Sequence, residues 1–318
     1  MATTPNLGVT LLEQSQSLKE ITINEALMRI DAAVATGGGG GSSAPSSRAC
    51  EGRLSLTSGV RVTTSDVSGA GSVYFTPYRG NLIALYNGSG AWNTVSFSQT
   101  AISLASGFTA GKPYDVFAYH NAGTLALETV GWTNDSTHAT ALALQDGIYV
   151  KSGAATRRYL GTFYTSSATT TEDSRTKRYV WNYHQRVVRE MKRSETAATW
   201  AYSTGAYRIA NGNAANVLDF VVGVAEDSLC AALLANASNS TATSRNLFFG
   251  LGLDSTTPDC EAGFVTTTNG FFAGQAISKN YTVSSGRHTI AWIEYGGGTD
   301  TQTWYGGDRR GLTGWLMG

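Results

Sequence analysis

The 318-residue sequence has little cysteine, little charge and no long apolar run, and each shortage excludes a class of protein. Its three cysteines, Cys50, Cys230 and Cys260, form no CxxC pair, which argues against a cysteine zinc site and a disulfide framework. Two interpretations of Cys230 and Cys260 stay open, a single bridge or small buried thiols. No apolar run approaches the roughly 20 residues of a membrane-spanning helix, so no span is expected.

Charge is both scarce and balanced along the chain. Charged residues make up 14% of the sequence, against about 25% in an average globular domain. The 23 basic and 23 acidic residues cancel, so the chain lacks the basic surface that phosphate-backbone binding requires and nucleic acid is not an expected partner. The N-terminus also lacks the basic start and apolar segment of a secretory signal peptide, so we expect a protein made and kept in a cytoplasm.

Motifs for catalysis and metal binding are missing as well. The four histidines show no HExxH pattern, and the sequence has neither a GxSxG elbow nor a P-loop. The glycines at 250 and 252 fall short of GxGxxG because Ser255 stands at the third glycine position. We therefore expect no metal, no cofactor and no enzymatic activity.

What charge there is concentrates between Glu172 and Glu195, with seven basic and four acidic residues. We interpret this block as a charged junction between two β-rich domains and between the chains of an oligomer, where its basic side chains would meet acids of neighbouring chains. Exposed pairs of this kind contribute only ~0 to 1 kcal/mol each, so they would fix register more than hold an oligomer together. The residues of this predicted oligomer junction are Arg175, Lys177, Arg178, Trp181, Tyr183, Arg186 and Arg189.

One convincing helix is predicted, over residues 18–35. Thr22 and Glu25 have the spacing of a capping box, and an apolar stripe follows with alternating spacings of four and three. A helix this short is marginal alone in water, so the stripe should pack on sister chains, on a larger body or on the protein's own first domain. The residues of the stripe are Ile23, Leu27, Ile30 and Val34.

The remaining sequence divides into a tether and two β domains. Residues 1–36 form an N-terminal anchor region, and the Gly/Ser-rich residues 37–50 form a flexible tether. Beyond them the apolar period becomes two, which predicts short strands separated by turns. The fold is therefore predicted to be mainly β, a short N-terminal anchor helix followed by two β-sandwich or jelly-roll-like domains, 51–168 and 196–318, joined by the charged junction at 169–195.

The strands expected in these two domains share alternating apolar residues or β-branched and aromatic runs between turn signals. A turn at residues 120–123 is expected to join two of them as a hairpin. The predicted strands are 72–76, 82–86, 114–119, 124–130, 147–151, 200–209, 217–224, 247–253, 263–267, 289–295 and 301–305.

Gln16, Lys19, Ile21, Thr22, Asn24, Glu25 and Ala26 match the pattern Q-x-Q-K-x-[VI]-T-x-N-E-A. This pattern resembles the N-terminal signature of a family of tailed-bacteriophage and gene-transfer-agent virion proteins, although Leu18 stands where the second glutamine is expected. Blocks at 73–81, 83–86 and 145–147 are similar to segments of phage tail-fibre and related structural proteins.

The resemblance implies a homotrimeric, non-enzymatic tail fibre or spike subunit, assembled in the host bacterial cytoplasm and located on the virion. Its N-terminus would dock on other virion proteins of the tail or capsid, and its β domains would project toward the host surface. A head fibre or capsid decoration protein is the alternative location. The residues expected to anchor the chain to the particle are Lys19, Ile23, Asn24, Glu25, Leu27, Ile30 and Val34.

Aromatic and acidic residues gather near the C-terminus, as they do in sugar-binding sites. A second hypothesis is therefore a carbohydrate-binding receptor module, in which Trp304, Tyr305 or Trp315 contacts host surface glycan. Paired carboxylates among Glu294, Asp300 and Asp308 would make a polysaccharide depolymerase if held about 5 to 10 Å apart, which is the least favoured hypothesis.

Overall fold

The computed structural model describes residues 3, 10, 23, 25–31, 49–266 and 273–318. The chain divides into two compact units, Met1–Ser46 and Ser47–Gly318. In the first unit, residues 23 and 25–31 are helical. The second unit consists almost entirely of β-strands, so the prediction of a mainly β protein with a short N-terminal helix is confirmed.

The strands of the second unit are numbered in chain order. Strands β1 to β11 are Gly52–Ser55, Val67–Ala70, Ser72–Pro77, Leu82–Tyr86, Trp92–Ser96, Thr100–Ser103, Pro113–Asn121, Thr124–Gly131, Leu142–Gln145, Ile148–Lys151 and Ala154–Ser167. Strands β12 to β18 are Thr170–Asp173, Lys177–Arg178, Val180–Asn182, Val188–Arg193, Thr199–Ala201, Tyr207–Ile209 and Val217–Val222. Strands β19 to β25 are Ser228–Asn239, Arg245–Leu253, Cys260–Thr266, Ala273–Thr282, Gly286–Tyr295, Gln302–Tyr305 and Gly311–Met317.

Four sheets arise from these strands. The largest has fourteen strands, with β21-β20-β23-β18-β13-β12-β11-β10-β9 as its main path. A six-stranded sheet has the order β15-β25-β19-β24-β16, with β22 paired to β19. The two small sheets are β1-β3-β6 and β4-β5. The hairpin predicted at residues 120–123 joins β7 to β8, and its two turn residues, Ala122 and Gly123, have the positive φ, 46° and 92°, that such a tight turn requires.

The later strands form a β-sandwich. Phe220, Phe249 and Trp292 from the fourteen-stranded sheet share one buried cluster with Leu233 and Leu312 from the six-stranded sheet. Strands β19 and β23 alternate between buried and more exposed residues over part of their length, which places one face of each sheet in the core. The prediction of a β-sandwich among the later strands is confirmed.

A second buried cluster lies among the earlier strands. It contains Leu54, Phe75, Ile83, Val116 and Phe163, which come from five different strands. The fourteen-stranded sheet connects this region to the sandwich, because β11 and β12 belong to the same sheet as β18 and β23.

The charged block at 169–195 does not separate two compact units. Strands β12 to β15 lie within it. The two-residue strand β13 pairs in parallel with β18, and β15 pairs with β25, so the block contributes strands to both sheets of the sandwich. The backbone hydrogen bonds of the block are therefore part of the fold rather than those of a solvated linker.

Two further expectations can be compared with the structure. Cys50, Cys230 and Cys260 are all free thiols, so of the two interpretations left open for Cys230 and Cys260 the structure has the unbridged one. Cys50 is buried and the other two are partly exposed. Within the described ranges, no helix is long and apolar enough to cross a membrane.

Candidate functional site

The three aromatic residues proposed to contact glycan differ in exposure. Trp304 is fully buried, and its indole Nε1 donates to the carbonyl oxygen of Tyr202 at 3.0 Å. Tyr305 is partly buried, with its hydroxyl 3.0 Å from Ser238 Oγ. Trp315 is 40% exposed, so it is the member of this trio that presents a large aromatic surface to solvent.

Trp315 lies on the outer face of the six-stranded sheet. On β15 the side chains of Val188 and Glu190 are exposed, whereas those of Arg189 and Met191 are buried. The same alternation runs along β25 and β19, whose inward residues belong to the sandwich core. The Trp315 face, as we call this surface, comprises Val188, Glu190 and Lys192 of β15, Cys230, Ala232 and Leu234 of β19, and Thr313, Trp315 and Met317 of β25.

Strand register determines which side chains meet on this face. Trp315 is paired with Glu190 on one side and with Cys230 on the other. In the next row Thr313 lies between Lys192 and Ala232. Because cross-strand partners lie about 4.5 to 5.5 Å apart, the small residues beside Trp315 leave one flank of its indole ring open.

A surface groove of about 430 Å³ follows from this arrangement. Its floor is made by small side chains, and charged residues stand at its β15 side. The groove brings Trp315 together with Arg175, a residue of the predicted oligomer junction. The complete lining is Arg175, Val188, Glu190, Met191, Lys192, Cys230, Ala232, Thr313, Gly314 and Trp315.

The Trp315 face carries one free charge of each sign. Within residues 49–266 and 273–318, the Glu190 carboxylate and the Lys192 ammonium have no ion-pair partner. Both side chains project from the same strand, two residues apart, on the same side of the sheet.

Behind this face, Asp173 of the charged block forms a buried cluster with Arg178 and Arg189. Arg178 Nη1 donates to Asp173 Oδ1 at 2.9 Å, and Arg189 Nη2 donates to Oδ2 at 2.6 Å. Thr63 also donates to Oδ2, at 3.1 Å. Burial and the nearby Arg189 guanidinium together lower the pKa of Arg53, at the edge of the cluster, to about 10.

The other predicted junction residues also have partners in their own chain. Arg186 forms ion pairs with Glu226 and Asp227, and Lys177 forms one with Glu172 at 3.1 Å. Arg175 is exposed and lies 3.8 Å from Asp66. Trp181 is fully buried, and Tyr183 packs beside it with ring centroids 6.2 Å apart.

For the three arginines Arg178, Arg186 and Arg189, the expectation of pairing with acids of neighbouring chains therefore has to be revised. Their carboxylate partners are supplied within the chain. Arg178 and Arg189 are also buried inside the chain, which removes them from any contact surface.

Two of the three acidic residues considered for glycoside cleavage, Glu294 and Asp300, are held in structural contacts. Glu294 is fully buried and accepts hydrogen bonds from Trp200 Nε1 at 2.6 Å and Arg208 Nε at 2.8 Å. Asp300 pairs with Arg245 at 2.6 Å, and Asp308 is exposed. In the described part of the chain, no group of three or more His, Cys, Asp or Glu could hold a metal ion.

The predicted anchor residues are described only in part. Lys19, Asn24 and Val34 lie outside the described residues. Ile23 and Ile30 are 47% and 54% exposed, Glu25 is exposed and Leu27 is intermediate. The apolar stripe thus keeps two isoleucines available for contact.

No protein-family model and no curated protein sequence matches the chain. Among solved structures, it is similar to the insecticidal delta-endotoxin Cry8Ea1 from Bacillus thuringiensis, with 8% identity, a TM-score of 0.25, and coverage of 84% of this chain and 52% of the endotoxin. It is also similar to a structure of infectious bursal disease virus Gt strain, with 10% identity, a TM-score of 0.27, and coverage of 84% and 72%. The chain spans about half the length of the endotoxin it matches, and likenesses this low assign neither a family nor a function.

Proposed function

We propose that this chain is a structural subunit of a bacteriophage particle, a trimeric tail fibre or spike protein. Its N-terminal unit would anchor it to other virion proteins, and its β unit would project toward the host surface. The subunit has no enzymatic role in this proposal. It is assembled in the host bacterial cytoplasm and functions on the virion.

The observation that carries this proposal is the division of the chain at Ser46. A small unit, Met1–Ser46, contains the virion-like sequence signature, and a separate compact β unit follows it. Ile23 and Ile30 remain about half exposed on the helix of the small unit. An apolar stripe that the chain leaves in contact with water supports a docking role, because burial on another protein would be favourable by about 25 cal/mol per Å².

Deletion of residues 1–46 tests the anchor. The shortened chain should keep the far-ultraviolet circular dichroism of a β protein and should no longer join particles that lack their own copy. A finer test combines Ile23→Asp and Ile30→Asp in one double variant. The control is Arg29→Gln, which changes an exposed polar position on the same helix. Only the aspartate variant should be missing from particles, and normal incorporation of that variant would contradict the proposal.

Immunogold labelling of intact particles distinguishes the two locations. Label on the tail supports a fibre or spike, and label on the capsid supports the head fibre or decoration alternative. Incubation of the purified protein with host capsule should release no new reducing ends, and their appearance would indicate a depolymerase.

A further inference from the structure

We propose that the Trp315 face is the surface through which copies of this chain contact one another. This inference rests on the proposed trimeric subunit and locates its interface on β15, β25 and β19. It moves the contact between chains from the buried arginines of the charged block to the exposed sheet face beside them.

The first argument is apolar exposure. Val188 is 59% exposed, Trp315 40% and Leu234 39%, and these three residues lie on three neighbouring strands. Contiguous apolar surface of this kind is uncommon on soluble monomers and marks interaction sites. Aromatic residues at the centre of such a surface are typical of interface cores.

The second argument is charge complementarity. Glu190 and Lys192 face the same side of β15 without partners among the described residues, whereas Arg178, Arg186 and Arg189 are paired within the chain. A second copy presents the same two charges. When the faces meet, Glu190 of each chain can therefore pair with Lys192 of the next, and both charges are neutralised.

The third argument is the extent of the surface. A saccharide stacked on Trp315 would fill the groove but would leave Leu234 in water, because Leu234 is paired with Gly311, four residues along β25 from Trp315. Covering Val188, Trp315 and Leu234 together requires a surface that spans three strands, roughly 10 Å between the outer two, and six residues along β25, roughly 20 Å. Another copy of the sheet face provides such a surface.

Light scattering of the full chain tests the proposal with matched valines. Val188→Asp should reduce the assembly from three chain masses to one, because the aspartate would be buried between copies. Val265→Asp is the control, since Val265 is 54% exposed on β21 of the other sheet and should leave the mass unchanged. A Val188→Asp variant that remains trimeric would overturn the proposal.

Charge exchange gives an independent test. Glu190→Lys and Lys192→Glu should each raise the dissociation concentration by about tenfold or more, because like charges would meet across the contact. The double variant should restore most of the affinity. Failure of that restoration would argue against pairing between Glu190 and Lys192.

Cys230 reports directly on whether the face is covered. It lies beside Trp315 and is partly exposed in the single chain. Cys260 is also partly exposed but lies outside the Trp315 face, so it serves as the reference thiol. In the assembly, alkylation should be slow at Cys230 and fast at Cys260, and Val188→Asp should make Cys230 fast. A monomeric wild-type chain whose Cys230 is protected only after an oligosaccharide is added would instead identify a glycan site.

These experiments separate this inference from the proposed function. The anchor test measures incorporation into particles, whereas the interface tests measure chain mass and thiol protection in purified protein. A particle-bound chain whose Trp315 face stays open would overturn the interface and leave the proposed function standing.

Discussion

Arg189 donates a hydrogen bond from Nη2 to Oδ2 of Asp173 at 2.6 Å, and both side chains are buried. Asp173 is also the acceptor for Arg178, so one carboxylate neutralises two guanidinium groups. The cluster joins β12, β13 and β15. This ion pair therefore connects the two sheets of the sandwich. Both residues belong to the charged block, whose composition is more typical of a protein surface.

Asp173→Asn should destabilise the protein by about 3 to 5 kcal/mol, because removing one partner leaves buried cations uncompensated. Asp66→Asn is the matched control. Its partner Arg175 is exposed at 3.8 Å, so the change should cost about 0 to 1 kcal/mol. Denaturant unfolding of the two variants measures the difference, and equal midpoints would show that the cluster contributes little.

Stability should fall as the solution is acidified below pH 6.5 because of His184. Burial, followed by the nearby Arg158 and Arg186 charges, lowers the pKa of His184 to about 3. The folded form is therefore neutral where the unfolded chain, with a pKa of about 6.5, already binds a proton, so each pH unit between these values costs about 1.4 kcal/mol. His184→Gln should reduce this slope of unfolding free energy against pH, and His120→Gln, at an exposed position of β7, is the control substitution.

Trp304→Ala should cost about 3 to 5 kcal/mol of folding stability, because the indole is completely buried in the sandwich core. Tyr305→Phe removes only a hydroxyl and should cost about 1 kcal/mol. Thermal and denaturant unfolding compare the two. A stable Trp304→Ala protein with altered glycan binding would support the original assignment of Trp304 as a contact residue.

Reducing agent should leave the unfolding midpoint unchanged, since the three cysteines are free. Alkylation of the unfolded chain without prior reduction, followed by mass spectrometry, should modify all three thiols. A Cys230–Cys260 peptide linked by a disulfide would contradict the structure.

The sequence was sufficient to predict strands with clear alternation and strong turn signals, such as β4, β20 and the β7–β8 hairpin. The single strand predicted at 200–209 is wrong, because the chain turns at 202–206 and forms β16 and β17 instead. The hydroxyl of Tyr202 donates to the Ala206 carbonyl oxygen across that turn.

Strand β19 escaped prediction for a reason connected with the Trp315 face. Its inward residues, such as Leu229 and Leu233, alternate with outward residues that are also apolar, such as Cys230 and Leu234. A period of two disappears when both faces are apolar, and alanine and asparagine lack β propensity. The apolar residues on the exposed face of β19 are therefore the reason that its sequence does not show the pattern of a strand.

The candidate site was only partly predictable. Trp315 was identified from its aromatic neighbourhood, but its position beside Glu190 depends on a pairing between residues 125 positions apart in sequence. Spacing within one segment cannot reveal such a contact. Likewise the excess of arginine in the charged block was evident, whereas its neutralisation by Asp173 follows only from the packing of β12 against β13 and β15.

The position of β25 in the six-stranded sheet determines when the sandwich can close during synthesis. This strand lies between β15 and β19 in the six-stranded sheet, although it comes last of the three along the chain. Before β25 is translated, β19 can already pair with β22 and β24, but no strand connects it to β15. Closure of the sandwich, and with it the formation of the Trp315 face, must therefore wait until residues 311–317 have left the ribosomal tunnel.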